Sequence, residues 1–312
     1  MGDVAISVKH VCKYYEDFLA VAGIDLEIHK GKIFGIVGPH GAGKTTLIKM
    51  ISGLISQSIG KINVLGYDFA TNEVEIKKRI GFLPEDSPLY ENMRVMDYLI
   101  FFSEIFGVQK DIATSRIQGL LTALDLSPNR KKIGELPKGM ERKVAIARSL
   151  INDHEIIIYD EPTSGLDPMT SKYIVDFIRE LKGQGKTIIF SAHNLYQVES
   201  ICDRILIMNN GKEIVKDFTK DIINRYGRTE YQIEFRIDDA SGLHFDGMEQ
   251  CNEHYRIRTS SIDDINRITR KIIEHDGDIV EVRTPETPLE EIFLELVRGL
   301  KAAAKPLKPH LN

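Results

Sequence analysis

Gly38-Pro39-His40-Gly41-Ala42-Gly43-Lys44-Thr45-Thr46 decides how this chain folds. The segment fits the phosphate-binding pattern G-x-x-x-x-G-K-[ST]. Its flanks have the shape that the motif needs. Residues 32–37 form a short, largely apolar run that reads as a buried strand, and residues 46–51 carry helical apolar spacing. Glycines between a strand and a helix let the backbone bend and turn its N–H groups onto phosphate oxygens. The positive end of the following helix points at the same anion. In this pattern Lys44 reaches the β- and γ-phosphates and the Thr45 hydroxyl sits on Mg²⁺. A glycine-rich turn matching by chance is the alternative, and the strand and helix around it count against that.

Working outward, residues 4–9 and 24–28 alternate apolar and polar positions and read as strands. Between them lies Tyr14-Tyr15-Glu16-Asp17-Phe18. An aromatic placed there, Tyr15 first, either stacks on a nucleotide base or lines a sheet edge. Residues 62–64 and 80–83 are further short strands, the second running into the turn-rich Pro84-Glu85-Asp86-Ser87-Pro88. Residues 95–106 and 112–125 read as helices. The first is rich in aromatics (Tyr98, Phe101, Phe102, Phe106), which are either core or an exposed docking face.

Leu136-Pro137-Lys138-Gly139-Met140 precedes a third helix, and Pro137 suits a helix start. Ile156-Ile157-Ile158-Tyr159-Asp160-Glu161 is an apolar strand ending in two carboxylates. Such a strand holds an Asp beside magnesium, and the adjacent Glu161 is placed to orient or deprotonate an attacking water. Taken alone, the pair also fits a solvated turn. Ser164-Gly165-Leu166-Asp167-Pro168 is a turn before a helix over about 170–182. The strand 187–191 then delivers His193 at its end, parallel to the carboxylate strand and within reach of a terminal phosphate. Residues 194–202 read as a helix, and 204–208 with 212–216 as a pair of strands.

From residue 219 the pattern changes. Residues 231–237, 255–259 and 278–283 read as strands. Residues 262–273 and 289–300 carry apolar helical faces, and Ser261-Ile262-Asp263-Asp264 resembles a capping box. The order β-β-α-β-α points to a small α+β unit with nothing catalytic in it. The Lys/Ala/Pro-rich segment 301–312 is expected to be a disordered tail.

Composition narrows the function. A net charge of −5 gives no sign of a nucleic-acid partner. Cys12, Cys202 and Cys251 are odd in number and widely spaced, which points away from zinc or disulfide frameworks and toward a reducing cytosol. The first residues lack the apolar core of a signal peptide, and no apolar run approaches the about 18 residues of a membrane span. Work at a membrane then requires a partner.

Together the segments resemble the ATP-binding cassette (ABC) ATPases, the nucleotide-binding subunits of ABC transporters, over about residues 4–217. The P-loop, the Walker B segment 156–161, the D-loop 164–167 and His193 stand in the family's order. Among subgroups the chain resembles the ATPases of ABC-2-type exporters, many of which carry a C-terminal accessory domain. The resemblance implies an α/β P-loop NTPase core over 1–218 with a helical subdomain at about 86–150, and an α+β accessory domain over 228–298. It implies ATP and Mg²⁺ as cofactors, a second ATPase subunit (identical or not), an ABC-2-type membrane permease, and a peripheral place on the cytoplasmic face of the membrane.

By position, Tyr15 stacks on adenine, and Gly38, Pro39, His40, Gly41, Ala42, Gly43, Lys44, Thr45 and Thr46 wrap the phosphates. Thr45 and Asp160 hold Mg²⁺, Glu161 is the base, and His193 binds the γ-phosphate and the water. ATP is sandwiched between this P-loop and the partner's signature and D-loop, which here are Leu136, Pro137, Lys138, Gly139, Met140 and Asp167. Two positions depart from the pattern. The family's Q-loop glutamine is Glu85, which can still coordinate Mg²⁺. The signature Leu-Ser-Gly-Gly-Gln keeps only Leu136 and Gly139. A non-transport ABC ATPase and a binding-only cassette with weak turnover are the alternative readings.

Overall fold

The computed structural model describes residues 3–126, 131–228, 230–238, 243–251 and 254–303. The chain divides into two compact units, Met1–Thr219 and Lys220–Asn312. The first opens with a long hairpin, β1 (Val4–Tyr15) and β2 (Phe18–His29), then β3 (Ile33–Val37), α1 (Lys44–Ile51), β4 (Ile59–Val64), β5 (Tyr67–Asp68) and α2 (Phe69–Lys77). It continues through β6 (Ile80–Leu83), α3 (Val95–Ile105), α4 (Lys110–Ala123) and α5 (Lys138–Leu150) to β7 (Ile156–Asp160). It closes with α6 (Pro168–Gly183), β8 (Thr187–Ser191), α7 (Leu195–Ile201), β9 (Arg204–Asn209) and β10 (Lys212–Phe218).

Two sheets share its core. The larger has strand order β10-β9-β3-β8-β7-β6, in which β10 runs antiparallel to β9 and the other neighbours are parallel. Every residue of β3, β7 and β8 is buried, which is why these strands read as unbroken apolar runs. The smaller sheet, β2-β1-β4-β5, is antiparallel. Ile6 and Ile24 from it pack in one cluster with Phe34, Ile158, Ile189 and Leu206 of the larger sheet.

Layer spacing is tight on the other face of β3. A Cβ at Gly35 would lie 2.9 Å from Cys202 Sγ and 3.2 Å from Val198 Cγ1, so α7 sits directly against the strand. Because β8 lies between β3 and β7, the loops leaving these three strands open at one end of the sheet. In open parallel sheets that end holds the ligand.

The second unit contains α8 (Thr219–Tyr226) from Lys220 on, β11 (Tyr231–Arg236), β12 (Glu249–Cys251), β13 (His254–Thr259), α9 (Ile262–Glu274), β14 (Asp278–Arg283) and α10 (Leu289–Ala303). Its sheet order is β12-β13-β11-β14, with antiparallel pairs throughout. Ile233, Phe235, Leu243 and Ile257 pack with Ile268 and Ile272 of α9. Ser261 caps α9 by accepting from the Asp263 N–H. Asp264 does not complete a capping box; it accepts from the Thr259 hydroxyl instead.

Several expectations change. The hairpin strands are longer than the alternation suggested, so Tyr14 and Tyr15 end β1 and the turn is Glu16-Asp17. β5, α2, α8 and β12 were not anticipated. α10 runs through residues 301–303, so that part of the expected tail is helical; residues 304–312 lie outside the described residues. Among the described residues no helix is long and apolar enough to cross a membrane.

Candidate active site

The P-loop leaves β3 and enters α1 at Lys44. Gly43, the N-cap, has φ 98°, and a Cβ there would lie 2.6 Å from the Ala20 carbonyl oxygen. Only glycine takes that backbone in that space. The Lys44 side chain is buried, and its Nζ donates to the carbonyls of Gly38 at 2.8 Å and Pro39 at 3.3 Å. It also lies 3.9 Å from Glu161 Oε1. The ammonium is thus folded back into its own loop, against backbone that an anion's oxygens can replace.

Asp160 ends β7, and one of its carboxylate oxygens accepts from Ser191 Oγ at 2.6 Å. Ser191 ends β8, paired in register with Asp160. The same serine accepts the Glu161 N–H, through its carbonyl at 3.2 Å and its hydroxyl at 3.0 Å. Glu161 has φ 50°, a left-handed backbone that costs a non-glycine residue about 1–3 kcal/mol and clusters at functional sites. The turn aims its carboxylate inward, where it is buried and hydrogen-bonded to His193 Nδ1. His193 itself is over half exposed. Three strand ends therefore bring Lys44, Asp160, Glu161 and His193 together: a cation, two carboxylates and an imidazole at a glycine-rich anion cradle.

Residues that could hold Mg²⁺ fit its chemistry. The Thr45 hydroxyl and the Asp160 and Glu85 carboxylates are hard oxygen donors. Among the described residues no three His, Cys, Asp or Glu form a closed metal cage. Mg²⁺ takes one or two protein carboxylates plus substrate phosphates, so an open donor set suits it.

Glu85 is exposed in the loop after β6, and its backbone carbonyl accepts from Arg142 at 2.9 Å. Burial lowers the Arg142 pKa to about 10, opposed by the Glu85 and Asp160 carboxylates nearby, so the side chain stays charged at neutral pH. Sequence reading passed over Arg142. Its acceptors are backbone carbonyls, which no side-chain pattern announces.

The signature segment starts α5. Pro137 is the N-cap rather than the first helical residue: its carbonyl accepts the Met140 N–H at 2.8 Å and the Glu141 N–H at 3.1 Å, and it offers no side-chain cap. Leu136 is buried and Pro137 and Lys138 are exposed. A Cβ at Gly165 would lie 2.7 Å from Lys138 Nζ, and one at Gly139 would lie 2.9 Å from Thr170 Cγ2, so this turn packs on the D-loop and the start of α6. Asp167 caps α6 by accepting the Thr170 N–H at 3.0 Å. Hydrogen bonds from Thr170 lower its pKa.

Tyr15 lies at the hairpin tip, paired with Phe18, with Lys13 Nζ over its ring at 5.3 Å; its side chain is exposed. Ala20, further along β2, is the residue that meets Gly43, so the hairpin runs beside the P-loop. In α3 the aromatics divide. Tyr98 is buried and accepts from Arg148, whereas Phe101 and Phe106 are exposed and join Tyr90 and Phe102 in a continuous set of ring contacts.

The ABC transporter family profile matches residues 21–164, which hold the P-loop, the signature and Walker B. The uncharacterized ABC transporter ATP-binding protein YhaQ of Bacillus subtilis is 31% identical over 296 residues, 94% of this chain and 98% of that one. The chain belongs to the ABC transporter ATP-binding proteins. As a member of that family it binds nucleotide and is an ATPase. The Nod factor export ATP-binding protein I of Burkholderia orbicola is 34% identical, covering 69% of this chain and 71% of its own. A solved ATP-binding subunit of an ABC transporter overlays 71% of this chain and 93% of itself at 27% identity, with a TM-score of 0.65. The YhaQ match spans both units; the solved subunit matches a cassette's length.

Proposed function

We propose that this ABC ATPase powers export through a separate membrane permease of the ABC-2 type, working as a dimer that closes on ATP and reopens on hydrolysis. The observation that carries the catalytic part is the convergence of Lys44, Glu161 and His193 on one anion cradle. Lys44 leaves its carbonyl partners for the β- and γ-phosphates. Glu161 takes a proton from the attacking water, and His193 holds Glu161 in place and contacts the γ-phosphate. Thr45 and Asp160, with Glu85, would hold Mg²⁺, which would supply charge neutralisation on the phosphates. Tyr15 stacks on the base, and the P-loop backbone from Gly38 to Thr46 wraps the phosphates.

The partner's Leu136–Met140 turn and Asp167 complete the site from across the dimer. Similarity to a subunit named for Nod factor export, and to full-length transporter subunits, supports the export reading over a non-transport cassette. The exposed ring set on α3 with Tyr90 is the face for the permease. A dependence on ATP supports a place for this subunit on the cytoplasmic side of the membrane.

The test is Glu161→Gln. Nucleotide affinity is retained, because Glu161 meets the water rather than ATP, and turnover falls by about 10² or more. Near-wild-type turnover removes Glu161 from the role of base.

A further inference from the structure

Arg142 sits one turn into α5, and its guanidinium is spent entirely on other segments' backbone. Nε donates to Pro162 O at 2.8 Å. Nη1 donates to Pro84 O at 3.0 Å and Glu85 O at 2.9 Å. Nη2 donates to Asp160 O at 3.3 Å and Glu161 O at 2.9 Å. A guanidinium has five N–H donors, and here each has its own carbonyl. The acceptors belong to two loops that are remote in sequence: the one leaving β6 with Glu85, and the one leaving β7 with the two carboxylates. Partial burial of the cation lowers its pKa, opposed by the Glu85 and Asp160 carboxylates, and five charge-assisted hydrogen bonds hold the group in place.

One acceptor bears on catalysis. Glu161 is held in the left-handed region, and such a residue persists only where its surroundings over-determine it. Its N–H is pinned by Ser191, and its carbonyl by Arg142 at 2.9 Å and by the Ser164 N–H at 3.1 Å. These bonds fix the peptide groups on both sides of Glu161, and of the donors to its carbonyl only Arg142 comes from another element. Ser191 belongs to the sheet. Arg142 belongs to the helix that begins with Pro137 and the signature.

We propose that Arg142 is the positioning residue that sets Glu161 for hydrolysis, by tying the signature helix to the β6 and β7 loops. A displacement of α5 would then reach Glu161 through one side chain, and the Glu85 loop would move with it. This rests on Glu161 as the base, as assigned above. Arg142 also sets a partly buried positive charge near the Glu85 carboxylate.

The experiment uses the full chain with Arg142→Lys and Arg142→Gln, each alone and with Glu161→Gln. Steady-state kcat and KM, fluorescent-nucleotide affinity and thermal melting are read for each. Arg142→Gln is expected to lower kcat by about 10²-fold through misplacement of the base, with nucleotide affinity and KM unchanged. Arg142→Lys, which keeps the charge but has three donors, recovers part of that loss. In the Glu161→Gln background Arg142→Gln costs nothing more, because both act through one group. Unchanged kcat in Arg142→Gln overturns the proposal. So does a joint loss of kcat, affinity and melting temperature with no recovery in Arg142→Lys, which marks a merely structural residue. Failure of the Glu161 assignment shows separately, as turnover in Glu161→Gln alone.

Discussion

The strand-end half of the site and its helical half are built by opposite rules. At the ends of β3 and β7 the chemistry-bearing groups are buried, and each is held by a named partner: Lys44 by Gly38 and Pro39, Asp160 by Ser191, Glu161 by Ser191, Arg142 and the more exposed His193 that follows β8. On α3 and at the start of α5 the corresponding groups face outward. Tyr90, Phe101, Phe106, Pro137 and Lys138 are exposed. The first half is preorganised within one chain. The second is exposed, and under the proposed function it is where the permease and the second subunit would dock. Chemistry that needs fixed geometry sits on the sheet, and recognition that needs access sits on the helices.

The largest expected effect breaks the strand-end half. Lys44→Ala removes the charged donor to the phosphates, so nucleotide affinity should fall by about 10- to 100-fold. Glu161→Gln should bind ATP normally, and equilibrium titration separates the two.

The next tests whether the helical half is incomplete. Pro137 has no hydroxyl and no N–H, so in the proposed closed dimer this position would offer the partner's γ-phosphate neither donor. Pro137→Ser should strengthen ATP-dependent dimerisation and raise turnover by about tenfold, the worth of one hydrogen bond to a charged group. Size-exclusion chromatography with Glu161→Gln added, and steady-state ATPase without it, read the two effects. No gain means that the turn is built around proline.

A third asks whether the outward rings are surface. Phe101→Asp or Tyr90→Asp should abolish stimulation by the permease and leave basal turnover and melting unchanged. Tyr98→Asp, on the same helix, buries a charge and should unfold the protein.

The smallest concerns the D-loop. Asp167→Ala removes the α6 cap and should lower the melting temperature slightly, with Asp167→Asn close to wild type. Because folding lowers the Asp167 pKa, the carboxylate stabilises the fold above its unfolded pKa. That contribution is lost as pH falls through the lower folded value, so wild type and Asp167→Ala should converge in acid.

What the sequence discloses follows the same division. Strands buried on both faces must be continuously apolar, so β3, β7 and β8 and the motif residues at their ends were readable in order. α2 was not, because it is kinked at Asn72 and buries only Ile76, leaving no periodic face to detect. β12 has three residues, too few for alternation. The inward turn of Glu161 and the fivefold use of Arg142 are properties of backbone groups, which every residue carries alike. Pattern reading finds side chains that differ, and these contacts are made to atoms that do not.

Gly35 carries one more consequence. Hydrogen in place of a methyl lets α7 rest on β3, with Cys202 and Val198 touching the space that a Cβ would fill. The loop that carries His193 leads into that same helix. The close seating of α7 at Gly35 thus bears, through the helix, on the loop that presents the imidazole. Gly35→Ala would act as a shim between β3 and α7 while changing none of the residues assigned above to ATP.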